Sequence, residues 1–371
     1  MEWEGLIVNA GLRFDFWYLG EKYKIHQDDG TYKWEKFKNN EKSQMMMSPR
    51  LGVSHPISET TVLHFAYNYQ NQLPQMQYIF TTSIPEDAIT SDVDVVVGKP
   101  NLKPQITITY EVGLNKQLSE NYVMDITTYY KNIYNYVSTR KTFDPDDPNI
   151  YWYEYISEDY GSTRGIDLNL RRELSNFISG SASYSIAWAN GNNSDTVIQD
   201  QATNLREFPL DWDLRNSFNL NLTFKIARGE EFYLPLTNIK LPFDNFSTTF
   251  RYQYASGKPY TAYTLEGNRL DTNNERQDPT QNAGLRITKK FSFSDQTSIR
   301  LFADIDNLFD KTNIYYVYPR TGSPYYDGVD ISNASSGYVD EHRRYIHDLA
   351  NRNPAMVSSG RTVTLGLSFN W

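Results

Sequence analysis

Five histidines are the residues of this 371-residue chain best suited to bind a metal or move a proton: His26, His55, His64, His342 and His347. His342 and His347 share one stretch with Asp340, Glu341 and Asp348. A helical zinc pair needs the spacing His-x-x-x-His so that both imidazoles reach one ion. That spacing is not met here, and a solvated acidic loop is the simpler reading. His64 could join one of the many serines in a nucleophilic pair, yet no nucleophile motif surrounds any of them. There is no Cys, which rules out disulfides and thiolate metal sites. The sequence therefore predicts no catalysis, no metal site and no cofactor. Two acidic groups remain, Glu86, Asp87, Asp92 and Asp94, then Asp144, Asp146, Asp147, Glu154, Glu158 and Asp159. They could draw a cationic ligand, and they equally suit ordinary solvated loops.

The charged residues that look organised lie on strands. The final stretch, Arg361–Trp371, places Val363, Leu365, Leu367, Phe369 and Trp371 on one face and Thr362, Thr364, Gly366, Ser368 and Asn370 on the other. A period of two with one apolar and one polar face describes a strand between two different solvents. The pattern recurs from the start, where Leu6, Val8, Ala10, Leu12, Phe14, Phe16 and Tyr18 alternate with Asn9, Gly11, Arg13 and Asp15. About twelve such strands follow one another, joined alternately by long polar loops and tight turns. The connection 227–245 is the exception on the short side. On this pattern Arg13, Arg50, His64, Arg171, Arg251 and Arg300 share the polar face with Asp125, Asp167 and Asp304, where pairing among themselves or against a plug is expected. The strands are expected to end near Tyr130 and to resume near Gly165, with a loop at 144–160 between them.

Composition narrows the setting. Aromatic residues make up 15% of the chain, including 29 Tyr and 7 Trp, which suits an interface where a ring sits in apolar surroundings and its polar tip stays wet. Net charge is −9 with no basic stripe, which argues against nucleic acid. No window approaches the ~18 apolar residues of a membrane helix. Long loops at one end and tight turns at the other are the anatomy of an outer-membrane barrel, and strands that alternate for ten or more residues fit its ~9–11-residue span. The fold expected is all-β, an antiparallel transmembrane β-barrel with Trp17, Tyr18, Tyr69, Tyr130, Trp188, Tyr252 and Trp371 in its interfacial girdles.

Several stretches then resemble the C-terminal barrel of TonB-dependent outer-membrane receptors. SPRLGVSHPISETTVLHFAYNYQNQ (Ser48–Gln72) looks like the family's strand–turn–strand, and GKPNLKPQITITYEVGL (Gly98–Leu114) is similar to its most specific segment, through Asn101, Leu102, Lys103, Pro104, Tyr110, Glu111 and Gly113. SGKPYT (Ser256–Thr261) resembles a loop entry, and DIDNLFDKTN resembles a near-terminal motif carried by Asn307, Leu308, Phe309 and Asp310. The terminal strand resembles the signal read by the barrel-assembly machinery, so Phe369 and Trp371 are expected to be needed for insertion. The resemblance is greatest to receptors of the Bacteroidetes type with a carboxypeptidase-regulatory-like N-terminal extension.

The resemblance implies uptake of a scarce ligand (an iron chelate, cobalamin, a glycan or a peptide) with energy relayed through TonB. It also implies lipid and lipopolysaccharide around the barrel, outer-membrane residence with loops outside and turns in the periplasm, and no nucleic acid. Such transporters have 22 strands around a plugged lumen. Residues 1–371 are thus expected to be one barrel domain forming the C-terminal half, with signal peptide, plug and TonB-contacting segment absent. An open sheet would leave unpaired edges in lipid, so it must close on itself or on another half. The rival readings are a stand-alone twelve-strand barrel with a structural or adhesive role, and an outer-membrane phospholipase-like enzyme.

Overall fold

The computed structural model describes residues 2–3, 5–20, 22–26, 32–36, 42–80, 96–99, 101–143, 151–192, 206–233, 236, 239–241, 244–294, 296–329, 349, 351 and 353–371. Twelve long strands follow in chain order: β1 (Leu6–Tyr18), β2 (Ser43–Ser58), β3 (Thr61–Gln72), β4 (Gln105–Ser119), β5 (Tyr122–Phe143), β6 (Tyr151–Ser175), β7 (Ile178–Gly191), β8 (Asn216–Ile226), β9 (Phe246–Ala255), β10 (Thr280–Ser292), β11 (Ser298–Asp306) and β12 (Thr362–Asn370). Each pairs antiparallel with its successor in one sheet that runs from β1 to β12 in sequence order. No helix among the described residues is long and apolar enough to cross a membrane.

The register puts like with like. Val363, Leu365, Leu367 and Phe369 of β12 stand opposite Ile305, Ala303, Leu301 and Ile299 of β11. On that face Leu365 is 77% and Leu367 67% exposed. Burying a side chain of this kind is worth roughly 1.5–3 kcal/mol, so a whole face of them left open belongs against lipid. The fully buried apolar side chains, such as Ile79, Leu102, Tyr153 and Leu210, lie instead where long connections fold back on strand ends. Toward the long-loop end the apolar face carries Tyr67, Tyr110 and Tyr130 in successive cross-strand positions, followed by Arg164 and Trp188. The Tyr67 and Tyr110 rings lie 5.3 Å apart. Of the aromatic residues expected at the interface this row holds Tyr130 and Trp188, and the Arg164 head fits it because a guanidinium can snorkel to headgroup level. Trp17 is a correction, since it alternates onto the polar face and packs against the Leu102 cluster.

On the opposite, polar face, large rings lie across glycines of the neighbouring strand. His64 is paired with Gly113 and Phe302 with Gly366, and a Cβ on either glycine would overlap the ring. A Cβ on Gly165 would meet the Tyr129 hydroxyl at 2.7 Å. The rings cover bare backbone, the usual rescue of a strand glycine. Gly366→Val is therefore expected to force Phe302 off its site at a cost of about 1–3 kcal/mol. A fall in the heat-resistant folded band on a gel would report it; an unchanged band would mean that the ring has somewhere else to go.

Two sequence expectations are corrected. β5 and β6 do not stop near Tyr130 and Gly165; Tyr151–Tyr160 is strand, not loop, and the hairpin runs 22 and 25 residues. At about 3.3 Å per residue that is roughly 70–80 Å, so this pair stands well beyond the girdle row. The polar loop after β1 contains its own hairpin, Lys22–His26 with Tyr32–Lys36.

The long connection 227–245 on the short-turn side also acquires a reason. It carries a two-stranded ribbon, Phe232–Tyr233 with Lys240–Leu241, that returns Phe232 against Phe177 (5.3 Å) and Phe224 (4.9 Å). The cluster holds the tight turn between β6 and β7, where Asn176 and Phe177 both have positive φ, 47° and 67°. A bulky residue in that region is strained, and ring packing offsets the cost.

Candidate functional site

The polar wall near the long-loop end is built from β1–β4. Register places Arg13 opposite Ser48, Arg50 opposite Asn68, and Gln70 opposite Thr107. Arg13 donates from Nε and Nη2 to Asp15 Oδ1, at 2.9 and 2.7 Å. Farther along the wall Asp304 lies 3.7 Å from Arg251 and 3.3 Å from Arg286. Arg171 pairs with Glu173 at 3.0 Å, and Arg300 is exposed between Lys290 and Ser368. Asp125 accepts from Asn115 and Thr127, and Asp167 from Ser185. The charged residues expected on one face thus share it, and the sheet spreads them along the wall rather than gathering them at one point. His64 occupies its glycine notch, away from the arginines.

Two of the family-like motifs, those around Leu102 and Asn307, turn out to be braces. After β3 the chain forms a short helix, Met76–Phe80, adds Val96–Val97 parallel to Tyr153–Glu154 of β6, and re-enters β4 through Asn101–Pro104. Leu102 is 2% exposed and packs with Ile79 and Val137, flanked by Trp17, Tyr78 and Tyr155. Backbone carbonyls do the rest: Leu102 O accepts from Gln44 Nε2 (3.1 Å), Lys103 O from Ser157 Oγ (3.3 Å) and Pro104 O from Asn135 Nδ2 (3.0 Å). Asn101 itself is an exposed turn residue. Burial in this core, with Tyr78 adjacent, raises the Tyr155 phenol above its usual pKa.

Asn307 performs the same office for the last long loop. Its φ is 53°, a value Asn tolerates better than most residues. Its side chain accepts from Lys311 N (2.9 Å) and donates to Lys311 O (3.0 Å) and Ser359 O (3.2 Å). Leu308 N donates to Ala283 O at 2.7 Å, and Asp310 Oδ1 accepts from Arg361 N at 2.8 Å. Phe309 is 63% exposed. Asn313, the last residue of the same family-like stretch, bonds both ways with Gln281 of β10, at 2.8 Å each. Phe369 and Trp371 close the apolar face at the short-turn end, rings 5.6 Å apart.

A further group had no signal in the sequence. Asp213 is fully buried and accepts from Arg215 Nε (2.8 Å), Arg276 Nη2 and Ala189 N (2.8 Å). Arg276 Nη1 reaches Asp213 O (2.9 Å) and Gly257 O (3.2 Å). Beside it Asn273 Nδ2 donates to Pro209 O and Asp211 Oδ1, both 2.7 Å. These bonds clamp the segment after β7 to the segment after β9. The acids of the β6 extension are engaged as well: Glu154 with Lys99 and Arg140, Glu158 with Arg140, and Asp159 with Asn192. No group of three or more metal-ligating side chains occurs among the described residues. Glu86, Asp87, Asp92, Asp94, Asp144, Asp146, Asp147, Asp340, Glu341, His342, His347 and Asp348 lie outside the described residues.

The comparisons bear on this arrangement. The sequence matches, over residues 1–308, the family described as TonB dependent receptor-like, beta-barrel. No curated protein matches the sequence. Among solved structures the chain is similar to the outer membrane transporter YddB of Escherichia coli (14% identity, TM-score 0.58, covering 84% of this chain and 40% of that one). It is also similar to a mutant of the ferric enterobactin receptor PfeA from Pseudomonas aeruginosa (16%, 0.56, 99% and 43%) and to the copper transporter OprC (13%, 0.54, 99% and 46%). At such identities the likeness is one of fold, and the chain spans less than half the length of each of these structures. The match over most of its length, on a sheet with one lipid-facing and one polar surface, makes this chain a member of the TonB-dependent receptor β-barrel family.

Proposed function

We propose that the chain is the barrel part of an outer-membrane receptor that takes up a scarce solute with energy relayed by TonB. The observation that carries the reading is the two-faced wall: an apolar exterior with an aromatic row, and an opposite face of Arg, Asn, Ser and Thr at whose long-loop end the long connections are clamped. On this reading the long-loop end faces outward and the short turns face the periplasm. The solute (a metal chelate, cobalamin, a glycan or a peptide) meets the wall there. The contact with TonB belongs to a region outside residues 1–371, lipopolysaccharide surrounds the girdle, and the barrel-assembly machinery inserts the strands. The binding surface has no catalytic part to play.

The test is solute depletion from a defined medium holding ferric siderophores, cobalamin, oligosaccharides and peptides. Cells with the protein are expected to deplete one of these classes, while cells lacking it, and cells lacking TonB, leave that class untouched. Equal depletion by all three strains would overturn the uptake reading, and a change confined to surface adhesion would favour a structural barrel.

A further inference from the structure

We infer that the polar wall holds an oxyanion subsite centred on Arg50, which takes a carboxylate- or phosphate-bearing arm of the transported solute. That the arm belongs to a transported solute rests on the uptake reading; the chemistry of the subsite rests on geometry. A cavity of about 220 Å³ opens on the polar face of β1–β4, lined by Arg13, Ser48, Arg50, Gln70, Asn71, Gln72 and Thr107. None of these is a carboxylate. Arg13 is already neutralised by Asp15 at 2.7 Å. Arg50 forms no ion pair among the described residues, and its head is exposed to the cavity.

The remaining polar groups are set to donate. Asn71 Nδ2 donates to Ser48 Oγ and to Met47 O, at 3.0 Å each, so the Ser48 oxygen is already an acceptor and its proton is left to give. Gln70, Gln72 and Thr107 supply amide and hydroxyl donors around the same space. One unpaired guanidinium among neutral donors suits an oxyanion, because the planar fork of Arg binds two oxygens at once. The volume is below the ~300–1,000 Å³ that encloses a whole drug-sized ligand, so the cavity receives one arm of a larger solute.

Its place in the fold agrees with that role. Arg50 stands opposite Asn68, one residue from the Leu51–Tyr67 pair of the apolar face, and thus level with the girdle. Trp17 and Gln44, a few residues farther toward the long-loop end of β1 and β2, are the residues that Leu102 packs against and bonds. The brace therefore anchors just past the cavity, where an entering solute first meets the wall.

The test is calorimetric titration of the full-length, detergent-purified protein with citrate and with inorganic phosphate, using maltose as the neutral control. Saturable binding of one anion and none of maltose is expected, and the anion that binds identifies the oxyanion as carboxylate or phosphate. Arg50→Gln should weaken it by about ten- to a hundredfold, the scale of one lost hydrogen bond to a charged group. Arg50→Lys should weaken it less, and Lys225→Gln, at the short-turn end of β8, should leave it unchanged. If neither anion binds saturably, or if Lys225→Gln loses as much as Arg50→Gln, the subsite does not exist. If Arg50→Gln leaves binding intact but lowers the thermal midpoint, Arg50 serves a structural contact and the inference fails. The titration needs no TonB, so its failure and the failure of energised uptake are separate results.

Discussion

Asp213→Ala is expected to release the segments after β7 and β9 together, at a local cost toward the lower end of the ~3–5 kcal/mol typical of a broken buried ion pair. The carboxylate is fully buried and holds three donors, from Arg215, Arg276 and the Ala189 backbone. Removing it leaves two cations without their counter-charge and an N–H without an acceptor. Both guanidinium groups remain about a third exposed, 32% and 31%, so water recovers part of their solvation. That is why the lower end of the range applies. Only the end of β7, through Ala189 N, shares these bonds, and the ladders between the long strands do not pass through them, so the heat-resistant band should persist. Amide exchange across 206–215 and 256–277 should quicken in both segments at once. Asp213→Asn keeps the shape and an acceptor for Ala189 N while removing the charge, and should fall between. Unchanged protection in the alanine variant would show that the clamp is redundant with the Asn273 bonds to Pro209 and Asp211.

What the sequence could and could not disclose follows from solvent. Between the two girdles one face of every strand meets lipid and the other water, so hydrophobicity alternates strictly and the twelve strands are legible from Leu6 to Trp371. Beyond the girdle both faces of the β5–β6 hairpin meet water or other loops, and the alternation of Ile133, Val137 and Ile156 with polar neighbours fades although the ladder continues. The ladder there is also interrupted, between Ser157 and Asp159 and between Asp159 and Gly161, near Asn135 with its φ of 56°. The Pro and Asp residues at 144–148 read as a turn in the sequence, and with no periodic pattern before them the sequence offers no reason to extend the strand past Tyr130. Asp213 gave no signal because its partner Arg276 is 63 residues away and neither lies in a repeating pattern. The Leu102 and Asn307 motifs were visible as resemblances, but their office as braces depends on contacts with Val137, Gln44 and Ser359 that no local pattern encodes.

Leu102→Ala carries the other large expected effect, because the brace has so small a core. Deleting a fully buried leucine costs about 2–5 kcal/mol, transfer and cavity terms together, and here the surroundings amount to Ile79 and Val137 with three partly buried aromatic rings. The helix Met76–Phe80 has only five residues and no acidic first turn, so it cannot hold itself together without that contact. The bonds from Gln44, Ser157 and Asn135 go to carbonyls at 102–104. They fix the chain near β4, and the pairing of Val96–Val97 with β6 together with the Lys99–Glu154 ion pair holds 96–99, which leaves 76–80 to the apolar contact and to the bond from Lys99 N to Tyr78 O. Protease cleavage should therefore appear between Leu73 and Lys99 while 105–119 stays protected in β4 and the barrel stays heat-resistant. Leu102→Asp should go further, since it places a charge where only apolar groups can answer it. Loss of the heat-resistant band in the alanine variant would mean that the brace is part of the barrel's own stability. In that case the motif at 98–104 would be a folding element first and an anchor beside the Arg50 cavity only second.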